Sequence, residues 1–185
     1  VKIAGRTYLI LVILNAATSL IWSSPALTRS APETLQLFRE WMDNHNCRPK
    51  AVFGDMAFFE PEIMKFWAYH DITPIVTGPQ TPWPNRAEAA IRLFKRQWSH
   101  LFELAREDSS LGEITCRDIV RACSWARNNS VMSTGFSPIE LATGRRPTAL
   151  FDPEDATPAQ LTTEDTCAED LRDQKFKGLA LKAHI

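Results

Sequence analysis

Residues 81–97 read TPWPNRAEAAIRLFKRQ, a proline-rich loop that gives way to a long stretch without proline or glycine. The three prolines at 79, 82 and 84 exclude a regular helix or a central strand over residues 77–84. From residue 85 to about 106, apolar side chains recur on one stripe, which predicts the longest helix of the chain. Glu88 lies in the first turn of that predicted helix.

Strands and helices alternate on either side of this segment. The continuous apolar run at 8–14 predicts a strand buried on both faces, with residues 19–22 as its hairpin partner. Helices are predicted from residue 31, with Ser30 and Glu33 in capping-box spacing, and over 60–70, 115–128 and 137–141; further strands are predicted over 51–53 and 72–76. This order predicts an α/β fold with a mixed central sheet flanked by helices.

Charge divides the chain near residue 150. Residues 1–150 carry 17 Lys and Arg against 14 Asp and Glu, whereas residues 151–185 carry 4 against 8. We therefore predict one domain over 1–150 and an acidic linker or tail over 151–185, in which residues 170–184 are expected to form an amphipathic helix. Because the sequence opens on Val1 without a leader, we expect a fragment of a longer polypeptide.

The composition also bears on the cellular location of the protein and on zinc binding. The longest uninterrupted apolar run ends at Asn15, well short of the roughly 18 residues that a membrane span needs, so we expect an intracellular protein without a membrane partner. The four cysteines contain no CxxC pair and the histidines are scattered, so the sequence does not predict a zinc site.

Two acidic residues occupy positions suited to metal chemistry. Asp55 follows a predicted strand, and Glu88 begins the predicted long helix. Divalent ions that assist phosphoryl transfer take carboxylate oxygens from rigid elements such as these. Each residue alone also has a plain interpretation: Asp55 as a turn former or helix cap, and Glu88 as a helix-dipole residue or the partner of Arg92.

Four segments together resemble the integrases of long-terminal-repeat (LTR) retrotransposons, within the retroviral integrase and DDE transposase superfamily. They are YLILVILNAATSLIW at 8–22, VFGDMAFF at 52–59, TPWPNRAEAAIRLFKRQ at 81–97 and TGFSPIELATGRRP at 134–147. The resemblance covers most of residues 1–150 and implies an RNase H-like fold. Met56, Ala57 and Arg86 depart from the residues that are usual in the family.

The resemblance implies an integrase catalytic domain that processes and joins DNA ends with Mg²⁺ or Mn²⁺. Asp55 and Glu88 match the second and third carboxylates of the family's metal-binding triad. The first lies on a strand before Gly5 in the family, and none of residues 1–4 is acidic, so we expect it upstream of Val1 and expect this fragment alone to lack a complete site. An alternative that counts Asn15 as a mutated ligand fits less well, because the family's ligand does not lie in that hairpin.

Two other functions stay open. A catalytically inactive or host-adopted integrase domain that binds DNA or protein is motivated by the missing first carboxylate. A nuclease that acts on RNA hybrids is the other, and it fits less well because such an enzyme would not need the loop of prolines and asparagine at residues 79–85.

DNA is the expected partner, both as element ends and as target. Arg92 and Lys95 share a helix face with Glu88, and Arg96 lies beside it, an arrangement suited to a phosphate backbone. An ordinary solvated helix face is the plain interpretation of these cations. The loop residues expected to reach DNA are Trp83, Asn85 and Arg86. The resemblance further implies a homo-oligomer that acts in the nucleus, with no small-molecule substrate.

Overall fold

The computed structural model of the chain describes residues 2–3, 6–77, 84–146 and 168–184. The chain divides into two compact units, Val1–Val12 with Ser24–Arg92 and Ile13–Ser23 with Leu93–Ile185. The strands are β1 (Lys2–Ile3), β2 (Arg6–Thr7), β3 (Leu9–Leu14), β4 (Ile21–Ala26), β5 (Ala51–Gly54) and β6 (Thr73–Val76). The helices are α1 (Ala31–His45), α2 (Pro61–Tyr69), α3 (Pro84–Glu107), α4 (Cys116–Asn129), α5 (Pro138–Thr143) and α6 (Ala168–His184).

The described strands pair two by two. β1 and β2 are antiparallel, β3 pairs with β4, and β5 and β6 are parallel, with Ala51 opposite Thr73 and Gly54 opposite Val76. A parallel pair needs a crossover, which here contains α2. The predicted α/β class is confirmed, with the described strands in three two-stranded sheets where one mixed central sheet was predicted. The predicted boundary near residue 150 lies outside the described residues and stays a prediction.

The hairpin partner of β3 begins later than predicted. We expected a strand over residues 19–22, but β4 begins at Ile21 and extends to Ala26. The turn takes up the earlier residues because Asn15 organises it: its side-chain Oδ1 accepts a hydrogen bond from the N–H of Ala17 (2.9 Å), and its carbonyl accepts one from Ser19 (2.8 Å). Ser19 then takes a left-handed conformation with φ 61°, which a strand cannot include.

The capping box predicted at the start of α1 is wrong. Ser30 is the N-cap residue but makes no side-chain cap hydrogen bond. Glu33 reaches further back instead, and its carboxylate accepts hydrogen bonds from the backbone N–H groups of Leu27 and Thr28 and from the Thr28 hydroxyl. The carboxylate therefore fixes the connection between β4 and α1 rather than the helix end itself.

Aromatic side chains form the core of the unit that contains α1 and α2. Trp67 of α2 is fully buried, and Phe38 of α1 meets it edge-on with ring centroids 4.6 Å apart. Phe66 packs against the same indole at 5.1 Å, and Ile63 is buried one turn earlier. These contacts hold the crossover helix against α1, so that the two parallel strands keep their register.

Three helices supply the core of the other unit. The apolar stripe predicted for α3 is confirmed, and α4 and α6 contribute the facing surfaces. The buried side chains are Phe94, Trp98, Leu101 and Ala105 of α3, Ile119, Val120, Cys123 and Ala126 of α4, and Phe176, Ala180 and Ala183 of α6. None of the helices in the described ranges is long and apolar enough to cross a membrane.

One asparagine joins α4 to β4 within this unit. The Asn128 side chain accepts a hydrogen bond from the N–H of Ile21 (2.8 Å) and donates one to the carbonyl oxygen of the same residue (2.7 Å). The amide thus satisfies both backbone groups of Ile21, as a neighbouring strand would. Ile21 itself is buried, and both hydrogen bonds are part-buried.

We expect Asn128→Ala to lower the free energy of unfolding by about 2 kcal/mol, because two part-buried backbone groups of Ile21 lose their partners. Urea denaturation followed by circular dichroism measures the change. Asn129→Ala is the matched control, since Asn129 donates to Trp125 within its own helix, and its effect should stay below about 0.5 kcal/mol. Equal effects of the two substitutions would contradict this role of Asn128.

The Glu33 contacts predict a pH dependence. Hydrogen bonds from the Thr28 hydroxyl, and then from the Leu27 backbone, lower the Glu33 pKa from its usual 4.5. A lowered folded-state pKa contributes stability that is present above the unfolded pKa and is lost as pH falls through the folded value. Glu33→Gln should therefore flatten the loss of stability below pH 4.5, measured as the urea midpoint against pH. Thr28→Val, which keeps the backbone donor, should flatten it less.

Candidate active site

Asp55 lies at the carboxyl end of β5, where the sequence predicted it. It precedes a short 3₁₀ turn, Met56–Phe58, whose first hydrogen bond runs from the N–H of Phe58 to the carbonyl oxygen of Asp55 (2.9 Å). The Asp55 side chain makes no cap hydrogen bond with this turn, and it is exposed. Because the turn uses the backbone alone, the interpretation of Asp55 as a capping side chain is not supported.

The residue before Asp55 allows the turn to fold back tightly. A Cβ atom at Gly54 would lie 3.1 Å from Cδ2 of Phe58, closer than side chains normally tolerate. The Phe58 ring therefore lies against the strand end. The backbone carbonyl oxygen of Phe58 accepts a hydrogen bond from the indole N–H of Trp67 at 3.3 Å. The aromatic core thus fixes the backbone on which the Asp55 carboxylate is presented.

Thr77 locks the end of β6 to the end of β5. Its N–H and its hydroxyl both donate to the carbonyl oxygen of Gly54, each at 3.0 Å. The parallel pairing places Gly54 opposite Val76, so the chain leaves both strands at one edge of the sheet. The segment that leaves β6 runs on through residues 78–83, which lie outside the described residues, to α3 and Glu88.

Glu88 lies one turn further into its helix than predicted. α3 begins at Pro84, a residue suited to a first helical position, and its first turn contains no acidic residue. Glu88 is therefore in the second turn, and it is exposed. Within the described ranges, neither Glu88 nor Asp55 forms an ion pair, so the interpretation of Glu88 as the partner of Arg92 is not supported either.

The expected DNA contacts fall into two groups. Arg92, Lys95 and Arg96 are exposed along α3. Asn85 and Arg86 belong to the first turn of α3 by their backbone, but their side chains, like all of Trp83, lie outside the described residues.

Metal coordination by three or more side chains is not found in the part of the chain that the structure describes. No group of three His, Cys, Asp or Glu residues there is placed to hold an ion. Asp55 and Glu88 belong to the same compact unit and offer two exposed carboxylates, which are the oxygen ligands that Mg²⁺ takes.

Sequence reasoning missed the residues that shape this edge of the sheet. The double hydrogen bond of Thr77 and the close approach of Phe58 to Gly54 depend on the parallel register, which a single strand pattern does not reveal. The one available signal was the threonine directly after the strand at 73–76, since threonine hydroxyls often bind nearby backbone groups.

Comparison with solved structures identifies the fold. The HTLV-2 integrase catalytic core domain, solved in complex with magnesium in a trimeric form, superposes with a TM-score of 0.63 at 15% sequence identity, covering 77% of this chain and 89% of that one. The catalytic core domain of BIV integrase gives a TM-score of 0.60 at 16% identity, with coverages of 74% and 86%. The chain has the fold of a retroviral integrase catalytic core.

A chain from a larger assembly also matches this integrase-core fold. The integrase of a simian T-cell lymphotropic virus intasome, in complex with the PP2A regulatory subunit B56 gamma, matches with a TM-score of 0.65 at 13% identity. The match covers 85% of this chain and 55% of that one. No family model and no curated protein matches the sequence. The predicted RNase H-like fold is confirmed, since integrase cores have that fold.

Proposed function

We propose that the chain is the catalytic core of an LTR-retrotransposon integrase, which processes the 3′ ends of DNA and joins them to a target with the help of a divalent metal. The observation that carries the proposal is the integrase-core fold with Asp55 at the carboxyl end of β5 and Glu88 near the start of α3. The sequence resemblance assigns the second and third metal-binding carboxylates to these same two positions.

Mg²⁺, or Mn²⁺ in its place, fits the donors that the chain offers. Mg²⁺ is commonly bound by one or two carboxylates, with water and substrate phosphate oxygens completing its shell. When bound, the ion supplies charge stabilisation at the phosphoryl oxygens. Asp55 and Glu88 would hold the ion. Magnesium in the HTLV-2 core supports this choice.

DNA binding is proposed to use the cations of α3 and the residues that lead into that helix. Arg92, Lys95 and Arg96 are exposed and lie further along the helix that bears Glu88, an arrangement suited to a phosphate backbone. The other proposed contacts are Trp83, Asn85 and Arg86. A homo-oligomer is part of the proposal, supported by the dimeric and trimeric forms of the HTLV-2 core. Action in the nucleus follows from the proposed chemistry alone.

Substitution of the two carboxylates tests the proposed chemistry. In a DNA strand-joining assay on the chain together with any residues that precede Val1 in its reading frame, Asp55→Asn and Glu88→Gln should each lower the rate by about 100-fold or more. Both should also weaken Mn²⁺ binding measured by calorimetry, because each removes a charged oxygen ligand.

The matched controls remove one carboxylate charge each, as the test variants do, but at positions outside the proposed site. Asp71→Asn alters an exposed aspartate at a left-handed residue where asparagine is tolerated, and Glu103→Gln alters an exposed glutamate of α3. Both should keep the activity of the unmodified protein. Full activity of Asp55→Asn and Glu88→Gln would refute the proposal, whereas an inert parent protein that still binds DNA would favour the non-catalytic, host-adopted alternative.

The cations of α3 give a separate prediction. The triple variant Arg92→Ala, Lys95→Ala, Arg96→Ala should bind DNA more weakly at low salt, and the slope of log affinity against log salt should fall by up to about 0.9 for each phosphate that is no longer neutralised. Fluorescence anisotropy at several salt concentrations measures both. Arg117→Ala, at an exposed arginine of α4, is the control and should leave the slope unchanged. An unchanged slope in the triple variant would remove α3 from the DNA interface.

A further inference from the structure

One arginine ties the C-terminal helix to the connection between α3 and α4. In the unit formed by Ile13–Ser23 and Leu93–Ile185, Arg172 donates from Nε to the carbonyl oxygen of Leu111 at 2.8 Å. Its Nη2 donates to the carbonyl oxygen of Glu113 and, at 2.8 Å, to the Asp118 carboxylate. The side chain of Arg172 is 31% exposed and that of Asp118 22%, so the pair is largely shielded from solvent.

Further contacts continue along α6. Lys175 donates to the Ser110 hydroxyl, and the Lys177 ammonium lies 5.7 Å from the ring centroid of Trp125 on α4. Because Arg172 meets residue 118 and Lys177 meets residue 125, α6 runs in the same direction as α4. The start of α6 therefore contacts the loop before α4, and its later turns lie along the body of that helix.

α6 also contacts α3 through a buried amide. Gln97 is 3% exposed, and its Nε2 donates to the carbonyl oxygen of Ala180 at 3.1 Å. Phe176, Ala180 and Ala183 form the buried stripe of α6, and α4 also buries small residues, at Ala122 and Ala126. Small side chains allow the two helix backbones to approach closely.

We infer that Ala168–His184 is a clasp, a conformational device in which Arg172 latches α6 across the α3–α4 connection and thereby holds the two helices together. Docked, the clasp covers Gln97 and the small-residue face of α4. Released, it exposes the Gln97 amide to water and leaves the Asp118 carboxylate without its cation. The inference concerns this unit alone and stands whether or not the chain joins DNA.

The shape of the guanidinium explains why arginine is needed at the latch. Two backbone carbonyls and one carboxylate converge on it from different directions, and a planar fork with five donors can serve all three at once. Asp118 has a second task, since its carboxylate also accepts the N–H of Thr115 in the capping box that begins α4. The latch therefore connects docking of α6 to the N-terminus of α4.

Hydrogen–deuterium exchange on the full chain tests the clasp. Arg172→Ala should speed exchange of the α6 amides and of residues 108–113 by about tenfold or more, because hydrogen bonds to a charged donor are removed. Arg172→Lys should give an intermediate increase. Lys182→Ala, at an exposed residue of the same helix, is the matched control and should leave the rates unchanged, as should amides of β5 and β6 in all variants.

Two results would overturn the inference. One is wild-type rates for α6 and for residues 108–113 in Arg172→Ala. The other is an equal increase at every amide of the unit, which would make Arg172 an ordinary contributor to global stability. Should Arg172→Ala fail to fold, Lys175→Ala, which removes only the hydrogen bond to Ser110, should show a smaller increase confined to the start of α6 and residues 108–113. Unchanged rates there would also refute the clasp.

Discussion

The parallel pairing of β5 with β6 is the constraint on which the candidate site depends. Parallel strands end at the same edge of a sheet, and the hydrogen bonds from Thr77 to the Gly54 carbonyl oxygen fasten those ends together. Asp55 leaves one strand at this edge, and the segment that leads to Glu88 leaves the other. An antiparallel pairing would let the two segments leave at opposite edges of the sheet.

This pairing is maintained by the crossover between the strands. Two four-residue strands have too few hydrogen bonds to hold a register alone, so the burial of α2 supplies the stabilisation. Trp67 links the crossover to the site directly, because the same indole that packs against Phe38 donates to the carbonyl oxygen of Phe58 in the turn after Asp55. The packing of the core therefore also fixes the backbone that carries the Asp55 carboxylate.

The sequence predicted local features well and long-range partners poorly. Apolar periodicity predicted the long helix α3 and other helices, because side chains at 3.6-residue spacing report which face is buried, and start and stop residues predicted α5. Periodicity does not report which surface covers that face. The contact of Asn128 with Ile21 and that of Arg172 with Asp118 join residues far apart in the chain, and no local pattern distinguishes these residues from their neighbours. The capping box at the start of α1 failed for a related reason, since Glu33 accepts hydrogen bonds from Leu27 and Thr28, which precede the helix.

The net charge of residues 151–185 hides a difference between two segments of that region. Residues 151–167 contain five Asp and Glu and no Lys or Arg, whereas residues 168–184 contain three Asp and Glu against four Lys and Arg. The acidic balance that indicated a tail therefore belongs to the first segment only. Three of the cations in the second segment, Arg172, Lys175 and Lys177, contact the α3–α4 connection or α4 itself. A segment whose charges find partners in the body of a unit is part of that unit, whatever the net charge of the region around it.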